Sequence, residues 1–193
     1  NFTLLAQDIA DVLDGLKLDK VVLCGYSNGG SIALEFAHNY PDRSRGLILV
    51  GAFPKVNSFL LYAEFMLGIV ATKFNGMGII AKVIGNAHAH SKKFGRELEL
   101  YIKKTKASTL HQMYNEGVKY DCTNRLSKIN TPILLVYGQK DFYVHHYQNE
   151  FKALHHDTYV VYVSKAKHQV PTKFAKEFNA ICTSFIQEKI VWN

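Results

Sequence analysis

The sequence predicts an α/β fold, a mostly parallel sheet with flanking helices, interrupted by a helical insertion. Three observations predict it. Short, near-continuously apolar runs at residues 20–24, 47–50, 132–137 and 159–163 alternate with stretches of helical periodicity. Runs of that kind suit strands covered on both faces of a parallel sheet. From about residue 54 to residue 128 the strand signal stops, while aromatics, scattered glycines and helix-like stretches continue. The expected division is a core made of 1–53 and 129–193, with 54–128 as a helical cap.

Taken in order, residues 3–16 read as a helix with Leu5, Ile9, Val12, Leu13 and Leu16 on one face, broken by Gly15 and Asp19. Residues 20–24 form the first strand, in which Cys24 is expected to pack as a small hydrophobe. A glycine turn, Gly25-Tyr26-Ser27-Asn28-Gly29-Gly30, leads into a helix with Ile32, Ala33, Phe36, Ala37 and Tyr40 on one side, ending at Pro41. Residues 47–50 follow as a buried strand. Within the insertion, residues 96–104 read as helix, and 59–71 as a buried or pocket-lining helix interrupted by Glu64. Strands resume at 132–137 and 159–163, and residues 172–189 close the chain as one amphipathic helix through Phe174, Phe178, Ile181 and Phe185.

Composition narrows the function classes. The 193 residues are 48% hydrophobic and 20% charged, which is ordinary globular usage. No stretch reaches the ~18 uncharged apolar residues of a membrane span. The net charge is +7, but the lysines are scattered and no run of five occurs, so the charge reads as solvated surface rather than a nucleic-acid footprint. Three cysteines, Cys24, Cys122 and Cys182, cannot all pair and show no zinc spacing, which points to a reducing, cytoplasmic compartment. The histidines at His88 and His90, His145-His146 and His155-His156 lack carboxylates at a ligand spacing. They read as surface histidines, and no metal is expected.

The chemistry concentrates in Gly25-x-Ser27-x-Gly29, between a buried strand and a helix. A P-loop would need a lysine before Ser31, and a dinucleotide loop would need GxGxxG; neither fits. A serine on a sharp strand-to-helix turn projects above the sheet edge, with helix N–H groups behind it for a developing oxyanion. The Asn28 N–H is the expected donor. Serine needs a positioned base, and the base needs an orienting acid. Those partners belong beyond the C-terminal ends of later strands. Asp141 follows the strand at 132–137 and His168 follows the strand at 159–163, each where such a partner belongs. The loop after residues 47–50, Gly51-Ala52-Phe53-Pro54, holds no acid, which favours Asp141.

On these residues the chain resembles the α/β-hydrolase superfamily, in its capped, serine esterase-like branch. The resemblance rests on residues 22–30, 40–43 leading into 47–50, 126–138, Lys140-Asp141 and 168–171, and it covers essentially the whole chain. It implies a Ser-His-Asp triad of Ser27, His168 and Asp141, with no cofactor and no metal. Ser27 excludes relatives with an aspartate nucleophile, such as haloalkane dehalogenases and epoxide hydrolases. Lys167 departs from the glycine common before the histidine. The family fold also begins with strands that supply a second oxyanion N–H, and nothing of that kind precedes Leu4. The expectation is a natural protein with about 60–90 further N-terminal residues, and a chain that alone is poorly soluble and nearly inactive.

The function so implied is hydrolysis of carboxylic esters through an acyl-enzyme, on a small-molecule ester-like substrate. Thioester, lactone, amide or carbon–carbon hydrolysis and acyl transfer use the same triad, and a slow-turnover receptor on the same fold is the alternative of a different class. Tyr26, Phe53, Phe59, Tyr62, Phe65, Met66 and Val170 are the candidate pocket residues. No nucleic acid or membrane span is expected, and the oligomeric state is left open.

Overall fold

The structure, a computed structural model, describes residues 1–190; the last three residues of the expected core segment 129–193 lie outside the described residues. Four strands, β1 (Val21–Tyr26), β2 (Ser44–Val50), β3 (Ile133–Gly138) and β4 (Thr158–Val163), form one sheet in the order β1-β2-β3-β4. Every pairing is parallel. All four strands therefore end on one edge of the sheet, where functional groups of such folds collect.

Alternation along each strand builds two cores. Leu47, Leu49, Ile133, Leu135 and Tyr137 face a cluster containing Phe53, Phe65, Tyr147 and Phe151. Ile48, Val50, Leu134 and Val136 face the opposite cluster, with Phe185 and Ile190. Both faces of β2 and β3 are thus dry, which is why those runs lack polar alternates. β1 is an edge strand among the described residues, and this reverses one expectation: Cys24 is exposed rather than packed.

α1 (Phe2–Gly15) and α2 (Gly29–Asn39) pack together beside β1. The helix in α1 is as expected, but its face is rotated. Phe2, Ala6, Ala10 and Leu13 are buried, while Val12 and Leu16 are exposed. The small Ala6 and Ala10 let α1 approach Phe36 of α2 closely, which larger apolar residues would prevent. Glu35 of α2 is buried as well, paired with Arg125 at 2.9 Å.

Between β2 and β3 lie four helices: α3 (Phe59–Lys73), α4 (Met77–His88), α5 (Lys92–Ile102) and α6 (Ala107–Lys119). The two ends of this stretch meet. Lys55 and Asp121 form an antiparallel bridge, and the Cys122 N–H donates to Pro54 O at 3.0 Å. α7 (Gln148–Leu154) connects β3 to β4. The expected single terminal helix is two, α8 (Val170–Lys173) and α9 (Ala175–Lys189), because Phe174 leaves helical geometry at φ −131°, ψ 42°. Phe174, Phe178, Ile181 and Phe185 still share the apolar face that covers the sheet.

Four of the six histidines expected at the surface depart from that reading, His145 and His146 being half-buried. His155 is buried, with Nε2 3.0 Å from Ile129 O and Nδ1 2.9 Å from Thr158 Oγ1. His88 is half-buried at the end of α4, facing a cavity.

Candidate active site

The site begins with backbone geometry. Ser27 sits at φ +53°, a left-handed conformation costly for a side chain other than glycine. Two hydrogen bonds hold it there: its N–H donates to Val50 O at 2.8 Å, and its carbonyl accepts from the Gly30 N–H at 2.9 Å. The turn is so tight that a Cβ on Gly25 would lie 2.7 Å from both Gly29 O and Gly30 Cα. β1 therefore hands the chain straight into α2, and Ser27 is left at the apex. Among the described residues no acceptor takes the Asn28 N–H, at the mouth of α2. The Asn28 side chain is anchored to Met113 O of α6 at 3.2 Å, and its Oδ1 is buried with no hydrogen-bond partner among the described residues.

Asp141 and His168 come from the loops after β3 and β4. Backbone bonds stitch those loops together, from Gln139 N to Val163 O at 3.0 Å and from Lys140 N to Ala166 O at 2.8 Å. The carboxyl of Asp141 is buried, and its Oδ2 lies 2.7 Å from His168 Nδ1. A carboxylate can only accept, so Nδ1–H is the donor. The proton on Nδ1 leaves Nε2 as the basic lone pair. The Tyr26 ring packs beside the imidazole with centroids 5.1 Å apart.

Sequence reasoning missed Gly51. It lies at φ +55°, and a Cβ there would stand 2.7 Å from His168 Cε1 and 2.8 Å from Nδ1. The loop after β2 contributes no acid, but it forms the floor under the imidazole. Its signal in the sequence was a glycine directly after a buried strand.

Ser27, Asn28, Asp141 and His168 all line one cavity of about 730 Å³, within the ordinary range for small-molecule sites. Its walls come mainly from α3, α4 and α6, through Leu60, Leu67, Val83, Ile84, Leu110 and Met113. Of the candidate pocket residues, the structure brings Tyr26 and Phe65 to this cavity. Phe53 instead fills the core beside Phe65, and Val170 packs into the core under α9. Phe59 and Tyr62 are exposed and lie outside the lining, because α3 buries its Leu61, Phe65, Gly68 and Thr72 face. Met66 is half-buried outside the lining.

Polar groups missed by the sequence reading also enter the cavity. Desolvation raises the Glu64 carboxyl above its usual value; the facing His168 pulls it down and Asp141 adds to the rise. Desolvation lowers His88, with His168 and Lys173 contributing in the same sense. His88 Nε2 is 3.5 Å from Tyr26 Oη and its Nδ1 is 3.3 Å from Thr172 Oγ1, so α4 touches both the serine turn and α8. Desolvation also raises the Tyr26 hydroxyl, which keeps it a neutral donor. Among the described residues no group of three or more His, Cys, Asp or Glu side chains could hold a metal ion, and no helix is long and apolar enough to cross a membrane.

Known proteins share this architecture. The human serine hydrolase BPHL is 25% identical over 191 residues, covering 94% of this chain and 60% of that protein. A pimeloyl-[acyl-carrier protein] methyl ester esterase of Neisseria meningitidis is 26% identical over 181 residues, covering 86% of this chain and 69% of that enzyme. The chain thus spans about 60% of the length of the human and mouse relatives it matches. Among solved structures, the esterase EaEST from Exiguobacterium antarcticum superposes with a TM-score of 0.86 at 22% identity, over 97% of this chain and 74% of that one. A family model described as serine aminopeptidase, S33, matches residues 1–172. With that match, over a parallel sheet whose serine turn, acid loop and histidine loop meet at one edge, the chain belongs to the serine aminopeptidase S33 family of α/β hydrolases.

Proposed function

We propose that this chain carries the catalytic centre of a serine hydrolase that cleaves carboxylic esters, with Ser27 as nucleophile, His168 as base and Asp141 as the orienting acid. The observation that carries the reading is the 2.7 Å contact between His168 Nδ1 and Asp141 Oδ2, on a cavity that Ser27 also lines. Residues 54–128 act as a cap over that cavity, a reading supported by the pairing of the two ends of the segment. The three free thiols suit a reducing, cytoplasmic compartment.

The steps follow from the groups present. Ser27 Oγ attacks the ester carbonyl carbon as its proton passes to His168 Nε2. The carbonyl electrons move onto oxygen, where the free Asn28 N–H stabilises the charge. Asp141 accepts from Nδ1–H and holds the imidazolium that forms. Collapse expels the alcohol, which takes the proton from Nε2 and leaves an acyl-serine. Water, deprotonated by the same nitrogen, then releases the acid and restores Ser27. The apolar walls favour an apolar acyl group of modest size.

The test is labelling and turnover in the full-length protein. A fluorophosphonate should label Ser27, and neither Ser27→Ala nor His168→Ala should retain more than about 10⁻⁴ of the wild-type kcat on an aryl ester. Full esterase activity in Ser27→Ala would remove the mechanism.

A further inference from the structure

α3 is apolar along its length, and Glu64 is its one charged residue before Lys73 at the end. Helical spacing puts Leu60, Glu64 and Leu67 on one face, and all three line the cavity that holds Ser27 and His168. An apolar side chain at position 64 would complete that wall. The carboxylate there is accessible from the cavity, and among the described residues no hydrogen bond or ion pair engages it.

The surroundings sharpen the point. The chain contains 23 Lys and Arg residues and a net charge of +7. None of those cations lines the cavity, whereas two carboxylates, Glu64 and Asp141, do. Asp141 is already engaged by His168. Glu64 is therefore the uncommitted charge on a mostly apolar wall, exposed toward a cavity in which no Lys or Arg competes for it. A carboxylate in such a place is stabilised by a donor cation and disfavours a second anion.

We propose that Glu64 is a specificity residue of this site, selecting ester substrates that carry an ammonium group and turning away those that carry a carboxylate. The proposal rests on the serine hydrolase reading given above, and it concerns the part of the substrate that lies against α3 rather than the scissile bond.

The test uses aryl esters of one chain length whose acyl ends are methyl, ammonium or carboxylate, assayed on the full-length enzyme. Wild-type kcat/KM should rank ammonium above methyl above carboxylate. Glu64→Gln keeps the shape of the side chain and removes the charge. It should lower the ammonium-to-carboxylate ratio about 10- to 100-fold, the range of one charge-assisted hydrogen bond. Glu64→Lys should invert the order. An unchanged ratio in Glu64→Gln, or no preference in wild type, overturns the proposal. Protection of Ser27 from fluorophosphonate by an alkylammonium, compared with an alkylcarboxylate of the same length, gives a second readout when turnover is slow, and equal protection by the two also overturns it. Ser27→Ala separates the two ideas: methyl-ester turnover that survives this change sinks the hydrolase reading, whereas turnover that depends on Ser27 but ignores Glu64 sinks only the charge selection.

Discussion

His168 is held from three directions by groups of different kinds. Asp141 accepts from Nδ1, the Tyr26 ring lies alongside, and Gly51 leaves the space beneath. A methyl group at position 51 would overlap the imidazole and would also place a side chain at φ +55°. Gly51→Ala is expected to lower kcat/KM about 10²-fold, because a shift of ~1 Å in a reacting group costs that much. The backbone strain itself should cost about 1–3 kcal/mol of stability. Steady-state kinetics read beside a denaturant midpoint check both parts, and a wild-type kcat/KM would show that the imidazole tolerates the intrusion. This residue also marks what sequence can convey. The placement of Ser27, Asp141 and His168 at one edge of the sheet was legible because each is a chemically distinctive residue after its own strand. Gly51 carries no chemistry, and its importance arises only when the ends of β2, β3 and β4 converge. Glu64 was visible as an interruption in an apolar run, yet which way it faced depended on the rotation of α3.

Elements are joined by buried polar groups that the sequence reading placed on the surface. His155 bridges Ile129 O, just before β3, to Thr158 Oγ1 at the start of β4, and so pins the two strand starts. Burial lowers the pKa of this imidazole from its ordinary 6.5; the bond to Ile129 O opposes that shift and His156 adds to it. The unfolded chain takes up this proton near pH 6.5, the folded chain only at lower pH. Between those two values the unfolded state binds more protons, so stability falls as the pH drops through that window and is full above it. His88 and His146 are shifted in the same direction, also chiefly by burial, and add to the slope. The unfolding midpoint should therefore fall between pH 7 and pH 5. His155→Gln, which does not titrate, should be less stable at pH 7 and flatter across the same range. An equally steep pH dependence in the Gln variant would remove His155 from the account. Strands and helices were largely legible because apolar runs and helical periodicity are local signals. The face of α1 and the break at Phe174 were not, since small alanines and a single unwound residue obey packing against neighbours that periodicity does not reveal.

At the scale of the molecule, the sheet is dry at its centre and open at its first strand. Val22, Cys24 and Tyr26 share the face of β1 that looks toward α9. α9 covers β3 and β4 more fully than β1, so Cys24 remains exposed although its neighbours on the inner strands are buried. The other two thiols are more enclosed. Cys122 is buried, its Sγ lies 3.4 Å from Pro54 O, and desolvation raises its pKa to about 12. Cys182 on α9 is half-buried, and desolvation, with the nearby Cys24 adding, raises it to about 11. Cys24 is also raised by desolvation, to a lesser degree. Because the thiolate is the reacting species, access and ionisation rank the three in the same order. In native protein at pH 8 an aromatic disulfide reagent should titrate Cys24 first, Cys182 more slowly, and Cys122 only on unfolding. Cys24→Ser should abolish the fast phase and leave the total count in denaturant lower by one. A fast phase that survives that substitution would mean that α9 leaves Cys182 more open than its packing indicates. Loss of the fast phase in a longer form of the protein, with Cys24 still present, would show that a further segment lies over the open side of β1.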